Sequence, residues 1–293
     1  MRPICPRRAA ALLLAIALPM ASARAHARPP SPAPADAPQS IALPADAVKR
    51  LKSGDPAQIK AALDDVRMSA RAGAPAVGAI AELLERGLAP SLTQAALDAV
   101  GDTESEAGSE AVAWYTRDRS VAVRRSAVGV LARTRGPAAV RALRASLSDP
   151  DAGVRAAAAT GLGSLKAKDA VGELFVALDH KVAEAAASIG QLCAGSECDR
   201  LAGKLGSVPF DVMTSGLDQM LFRPATDVSD DQKINVVGRV RELGTGEANR
   251  FLKDVQGKWP KSWSQRVKQA IDQAVLATSA SPGASSGSGG GSR

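Results

Sequence analysis

The sequence predicts an all-α fold, an α-solenoid of stacked antiparallel helix pairs, and three observations predict it. The first is self-similarity. Shifted by 31 residues, Asp118, Val123, Arg124, Ala127 and Leu131 fall on Asp149, Val154, Arg155, Ala158 and Leu162. Val140, Leu143 and Leu147 likewise fall on Val171, Leu174 and Leu178. A fixed period of this length, holding two amphipathic stretches, marks a helical repeat array. The second is spacing: Val123, Ala127 and Leu131 recur at i, i+4 and i+8, one face of a helix. The third is composition. Hydrophobic residues make up 45% of the 293 residues but aromatics only 3%. The core must therefore be Ala, Val and Leu, which are mostly good helix formers, and small alanines let helices approach closely. An all-β chain would need more β-branched and aromatic residues.

The chain opens with Arg2, Arg7 and Arg8, then an apolar run of ten residues from Ala9 to Leu18. Ala21-Ser22-Ala23 and Ala25-His26-Ala27 are small-residue cleavage patterns. Residues 1–27 thus read as a secretory signal peptide, cut after Ala23 or Ala27, and the expected location is secreted or periplasmic. The run is too short to span a bilayer, so no transmembrane segment is expected after cleavage. If the cut follows Ala27, removing Arg2, Arg7, Arg8 and Arg24 lowers the formal net charge from +7 to +3. That mild excess does not argue for nucleic acid as a partner. Residues 28–44 are Pro- and Ala-rich and read as a disordered spacer. Residues 279–293 are Ser/Gly-rich and read as a solvated tail.

Between them residues 45–278 form the array, regular over about 55–179 and degenerate over 180–278. A short helix over 45–53 precedes repeat one, with helices over 57–71 and 75–86. Ala61-Ala62-Leu63-Asp64 recurs, 34 residues on, as Ala95-Ala96-Leu97-Asp98. Repeat two has helices over 91–101 and 106–116. Repeat three covers 118–148, with Pro137 well placed to begin its second helix. Repeat four covers 149–179. Repeat five is shortened, because Ser188-Ile189-Gly190-Gln191-Leu192 matches Gly161-Leu162-Gly163-Ser164-Leu165 at a shift of 27. Its second helix is interrupted over 193–198. A helix over 210–222, a pair over 230–243 and 246–258, and a closing helix over 262–277 complete the stack. Trp259-Pro-Lys-Ser-Trp263 reads as a hydrophobic cap.

Asp149-Pro-Asp-x-x-Val154-Arg155-x-x-Ala158-Ala159-x-Gly-Leu162-Gly163 resembles the HEAT repeat, and more narrowly the short bacterial HEAT-like repeats also found in phycobilisome lyases. Repeat three carries the motif as Asp118-x-x-x-x-Val123-Arg124-x-x-Ala127-Val128-x-x-Leu131. The resemblance covers about half of the chain. It implies that first helices line the convex side and second helices the concave side. It also implies an inter-repeat ladder from Asp118, Arg124, Asp149 and Arg155. Asp227 and Lys233 keep the six-residue spacing, whereas repeats one and two carry Ile59 and Thr93 near the Arg position, so no ladder is expected there.

Catalysis finds little support. After cleavage behind Ala27 the single histidine is His180, which falls where a fifth-repeat ladder Asp would stand. No nucleophile motif surrounds it. One histidine and two cysteines make no zinc pattern, and neither metal nor cofactor is expected. Cys193 and Cys198, with four residues between them, read as a disulfide pinning a turn in an oxidising compartment.

Charge is unevenly spread. From Glu82 to Glu110 lie seven acids and one base, and from Arg117 to Arg155 nine arginines and three acids. This is either a self-complementary solvated surface or a polarised groove. On the second helix of repeat three, Val140, Leu143 and Leu147 face the core, so Arg141 and Arg144 face out. Register adds Trp114 and Phe175, and these four are the candidate partner-binding residues. The expected function is a non-catalytic, monomeric scaffold for an unknown protein or peptide. The alternatives are a polyanion or envelope-surface binder acting through the arginines, and a bilin-lyase-like enzyme.

Overall fold

The computed structural model describes residues 41–279. The expected signal peptide, residues 28–40 of the expected spacer and residues 280–293 of the expected tail lie outside the described residues. Among the described residues fifteen α-helices are laid in two rows. The A row holds α2 (Pro56–Ser69), α4 (Pro90–Thr103), α6 (Val121–Thr134), α8 (Ala152–Ser164), α10 (Glu184–Leu192), α12 (Phe210–Leu221) and α14 (Gly246–Lys258). The B row holds α1 (Ala47–Leu51), α3 (Val77–Arg86), α5 (Ser109–Tyr115), α7 (Gly136–Ser146), α9 (Val171–Asp179), α11 (Ser196–Ala202), α13 (Asp230–Glu242) and α15 (Gln265–Ser279). This is the all-α repeat stack that the period predicts, with each unit packed on its neighbours in sequence.

Local chemistry sets the helix starts. Asp55, Asp151, Ser229 and Thr245 each accept a backbone N–H of the following first turn. Such caps satisfy donors that a helix leaves orphaned. Short 3-10 turns over Ala70–Ala76, Glu106–Gly108 and Lys168–Ala170 lead into α3, α5 and α9. The turn from α6 to α7 passes through Arg135 and Gly136, both at positive φ. Pro137 follows inside the first turn of α7, where its missing N–H costs nothing.

The core runs as a continuous strip between the rows. Leu63, Leu97, Leu131 and Leu162 are fully buried in successive A-row helices, and Ile80, Val112, Leu143 and Leu174 in the B row. Close approach is greatest between α10 and α12. A Cβ on Gly190 would lie 2.1 Å from the Gly216 carbonyl oxygen, and one on Gly216 would lie 2.4 Å from that of Ala186. Only glycine permits this backbone-to-backbone contact.

At the C-terminal end the closest packing shifts to α13, α14 and α15. Trp259 and Trp263 lie edge to face at 5.3 Å, and both stack near Phe222. Lys233 is buried against them, its Nζ 4.9 Å from the Trp263 ring centre, and donates to the Arg223 carbonyl. Burial pushes the Lys233 pKa down. The six-residue spacing from Asp227 therefore yields no rung: Asp227 lies beside Arg223 instead, at 3.7 Å. Cys193 and Cys198 are disulfide-bonded with a Cα–Cα distance of 5.1 Å. The bridge closes the break between α10 and α11, and Arg223 donates to the Cys193 carbonyl at 2.6 Å. A loop this short contributes about 2 kcal/mol by chain entropy.

Candidate functional site

The site grows from the exposed side of the B row. Trp114 stands in the last turn of α5 and is 72% exposed, the most exposed large apolar side chain among the described residues. Its position follows from register: Ala111 and Val112 turn inward, so the side chain two residues on stands off the opposite face. α5 itself is anchored, since the Tyr115 hydroxyl donates to the Leu84 carbonyl at 2.6 Å. Beside Trp114 a cleft of about 310 Å³ opens between α5 and α7. Its floor is Ala113, Ala142 and Ala145, and its edges are Glu110, Arg117 and Arg141. Arg117 also borders a second cleft, about 320 Å³, whose far wall is Arg124 and Asp149.

Three of the four predicted partner-binding residues stand on this side. Arg141 is exposed and pairs with Glu110 at 3.1 Å. Arg144 is half-buried and pairs with Asp169 at 3.2 Å and with Glu173. Phe175 must be removed from the set: it is 1% exposed, and the Arg200 guanidinium covers its ring at 4.0 Å. The shortened fifth repeat brings α11 over that position, which a uniform 31-residue register does not anticipate. In its place Val176 is 53% exposed, one period from Ala145 and two from Trp114. Arg117 was missed because it lies in the turn after α5, outside the helical register.

The predicted ladder is a single ion-pair rung. Arg124 binds Asp149 through two nitrogens, at 2.8 and 3.0 Å, with the two side chains only 11% and 8% exposed. Arg124 also donates to the Asp118 carbonyl at 3.0 Å, and Arg155 repeats this with the Asp149 carbonyl at 2.8 Å. Among the described residues Arg155 meets no carboxylate, because His180 stands in the next register position. The Asp118 carboxylate turns back to accept the Ser120 N–H at 2.7 Å. Thr93 takes the place of the arginine one repeat earlier, its hydroxyl donating to the Leu88 and Ala89 carbonyls.

The uneven charge resolves into pairs between neighbouring repeats. Asp102 is bracketed by Arg67 at 3.3 Å and Arg133 at 3.0 Å, and Glu104 takes Arg71 at 2.5 Å. Glu110 takes Arg141 and Asp151 takes Arg125. Among the described residues no group of three or more His, Cys, Asp or Glu side chains is arranged to hold a metal ion. None of their helices is long and apolar enough to cross a membrane.

Residues 77–162 and 108–193 match the HEAT-repeat family. Over residues 77–193 the array is similar to HEAT repeats. Similar solved structures include the complex of CpcE and CpcF of phycocyanin lyase from Nostoc sp. PCC7120, 17% identical over 85% of this chain and 98% of that one, with a TM-score of 0.43. A designed armadillo repeat protein is 16% identical over 80% of this chain and 98% of that one, with a TM-score of 0.40. No curated protein matches the sequence. The matched HEAT repeats contain α3 to α10, and so every residue of the cleft beside Trp114.

Proposed function

We propose that this HEAT-like array is a non-catalytic scaffold that works outside the cytoplasm and binds a protein or peptide partner at the B-row face around Trp114. One observation carries the reading: an indole 72% exposed beside an alanine-floored cleft, on a helix that is otherwise well anchored. Burying such a ring on a partner releases a large apolar area, and tryptophan and arginine are the residues that most often dominate binding energy. The export half of the reading rests on the leader pattern in residues 1–27 and on the Cys193–Cys198 bridge.

The polyanion reading is weaker, because it draws on arginines already committed to neighbours: Arg141 to Glu110, and Arg144 to Asp169 and Glu173. A pull-down from periplasmic extract tests the scaffold. The native protein is expected to retain a partner that Trp114→Ala loses and that persists at raised salt. If both forms capture the same proteins, the B-row assignment is wrong. A mature N-terminus beginning after Ala23 or Ala27, read by mass spectrometry, is the matching expectation for export.

A further inference from the structure

The exposed B-row face carries more than an isolated tryptophan. Trp114, Ala145 and Val176 occupy one register position in three consecutive repeats, each 31 residues from the next. All three are exposed, Trp114 at 72% and Val176 at 53%. They form an apolar lane across α5, α7 and α9, large at both ends and small in the middle. α5 packs directly on α7, roughly 10 Å away as packed helices lie, and α7 is linked to α9 through the Arg144–Glu173 pair, so the lane runs at least about 20 Å.

Its charged borders are unequal. Arg141 is paired with Glu110, and Asp179 at the Val176 end with Lys204. Arg117, exposed at the Trp114 end, has no carboxylate within salt-bridge distance among the described residues. Beside the small centre, Gly172 on α9 faces open space. Arg144 and Glu173, both half-buried, pair between α7 and α9 next to it.

Resting on the partner-binding reading, we propose that this lane takes an extended peptide segment with two large apolar side chains about six residues apart and a carboxylate beside the first. An extended chain advances about 3.3 Å per residue, so six residues cover the lane. An even spacing keeps both anchors on the same side of the strand. The floor of Ala113, Ala142 and Ala145 lets a backbone come close at the centre, where the wider cylinder of a helix would not. The carboxylate meets Arg117, which lacks a counter-ion among the described residues, next to the indole that receives the first anchor.

The test uses fluorescein-labelled synthetic decapeptides and the whole protein, read by fluorescence anisotropy. One peptide carries Asp-Phe and a Leu six residues after the Phe; a second has the Leu only three residues away; a third replaces Asp by Lys. The first is expected to bind, and the second and third to bind at least about tenfold more weakly. Trp114→Ala and Ala145→Glu should each abolish binding. Arg117→Glu should reverse the preference between Asp and Lys peptides. Unchanged thermal melts of these surface variants establish that the fold is intact. Equal binding of all three peptides, or binding indifferent to Trp114→Ala and Ala145→Glu, overturns the proposal. If no peptide binds while Trp114→Ala still loses the partner captured from extract, the lane is not a peptide groove but the partner-binding reading stands. If Trp114→Ala loses nothing in either assay, both fall.

Discussion

Arg124 and Asp149 show how one pair joins two repeats. Burial works to raise the Asp149 pKa, but the Arg124 guanidinium and the Asp151 N–H outweigh it and hold the carboxyl below its ordinary value near 3.8. In the unfolded chain the group titrates at that ordinary value. The stabilisation is therefore complete above about pH 4 and is lost as pH falls through the folded value. Asp149→Asn should lower the melting temperature by several degrees at pH 7, because it leaves Arg124 in a largely enclosed site without its counter-charge. The same variant should show a shallower loss of stability between about pH 4 and pH 2. A thermal melt at pH 7 and urea melts at both ends of the acid range measure the two effects; an unchanged melting temperature and parallel pH profiles for variant and native protein would contradict them. The motif Asp-x5-Arg was readable in the sequence. That it makes only one ion-pair rung was not, since that depends on what stands one period further on, and there the chain has His180.

Element packing separates glycines that the sequence alone leaves alike. Gly190 and Gly216 let α10 and α12 touch backbone to backbone. Gly129, in the middle of α6, has nothing within 4 Å of where a Cβ would stand. Gly190→Ala should cost about 1–3 kcal/mol through overpacking, or more if the helices must part. Gly129→Ala should stabilise by about 0.5–1 kcal/mol, since a mid-helix glycine carries that penalty relative to alanine. Chemical denaturation distinguishes the signs, and like signs would show the α10–α12 contact to be looser than described. Helix positions were legible almost throughout, because caps, Pro137 and the apolar period act within a few residues. What escaped were contacts at and beyond the shortened fifth repeat: Arg200 over Phe175, and Lys233 drawn away from Asp227 toward Trp259 and Trp263. Each joins residues from units whose spacing has slipped, so no fixed shift could align them.

At the scale of the whole array, acids and bases that are segregated along the sequence meet once the units stack. Apart from Arg124–Asp149, each pair is exposed enough to contribute little alone. Asp102, however, serves the repeat on either side of its own through Arg67 and Arg133. Asp102→Arg would gather three arginines at that point and should lower the melting temperature by a few degrees in low salt, with part of the loss recovered in high salt. A melt insensitive to both changes would show that the pairing is incidental. This offset also bears on how such an array can change in length. Repeat proteins lengthen by tandem copying, and residues 118–148 are among the most regular units this chain could copy. A second copy in place would set Arg133 beside Arg133 and Arg141 beside Arg141, and would move Asp169 and Glu173 out of reach of the first Arg144. The apolar strip would accept the extra unit and the charged faces would resist it. Here the number of repeats is written into the charges more firmly than into the core.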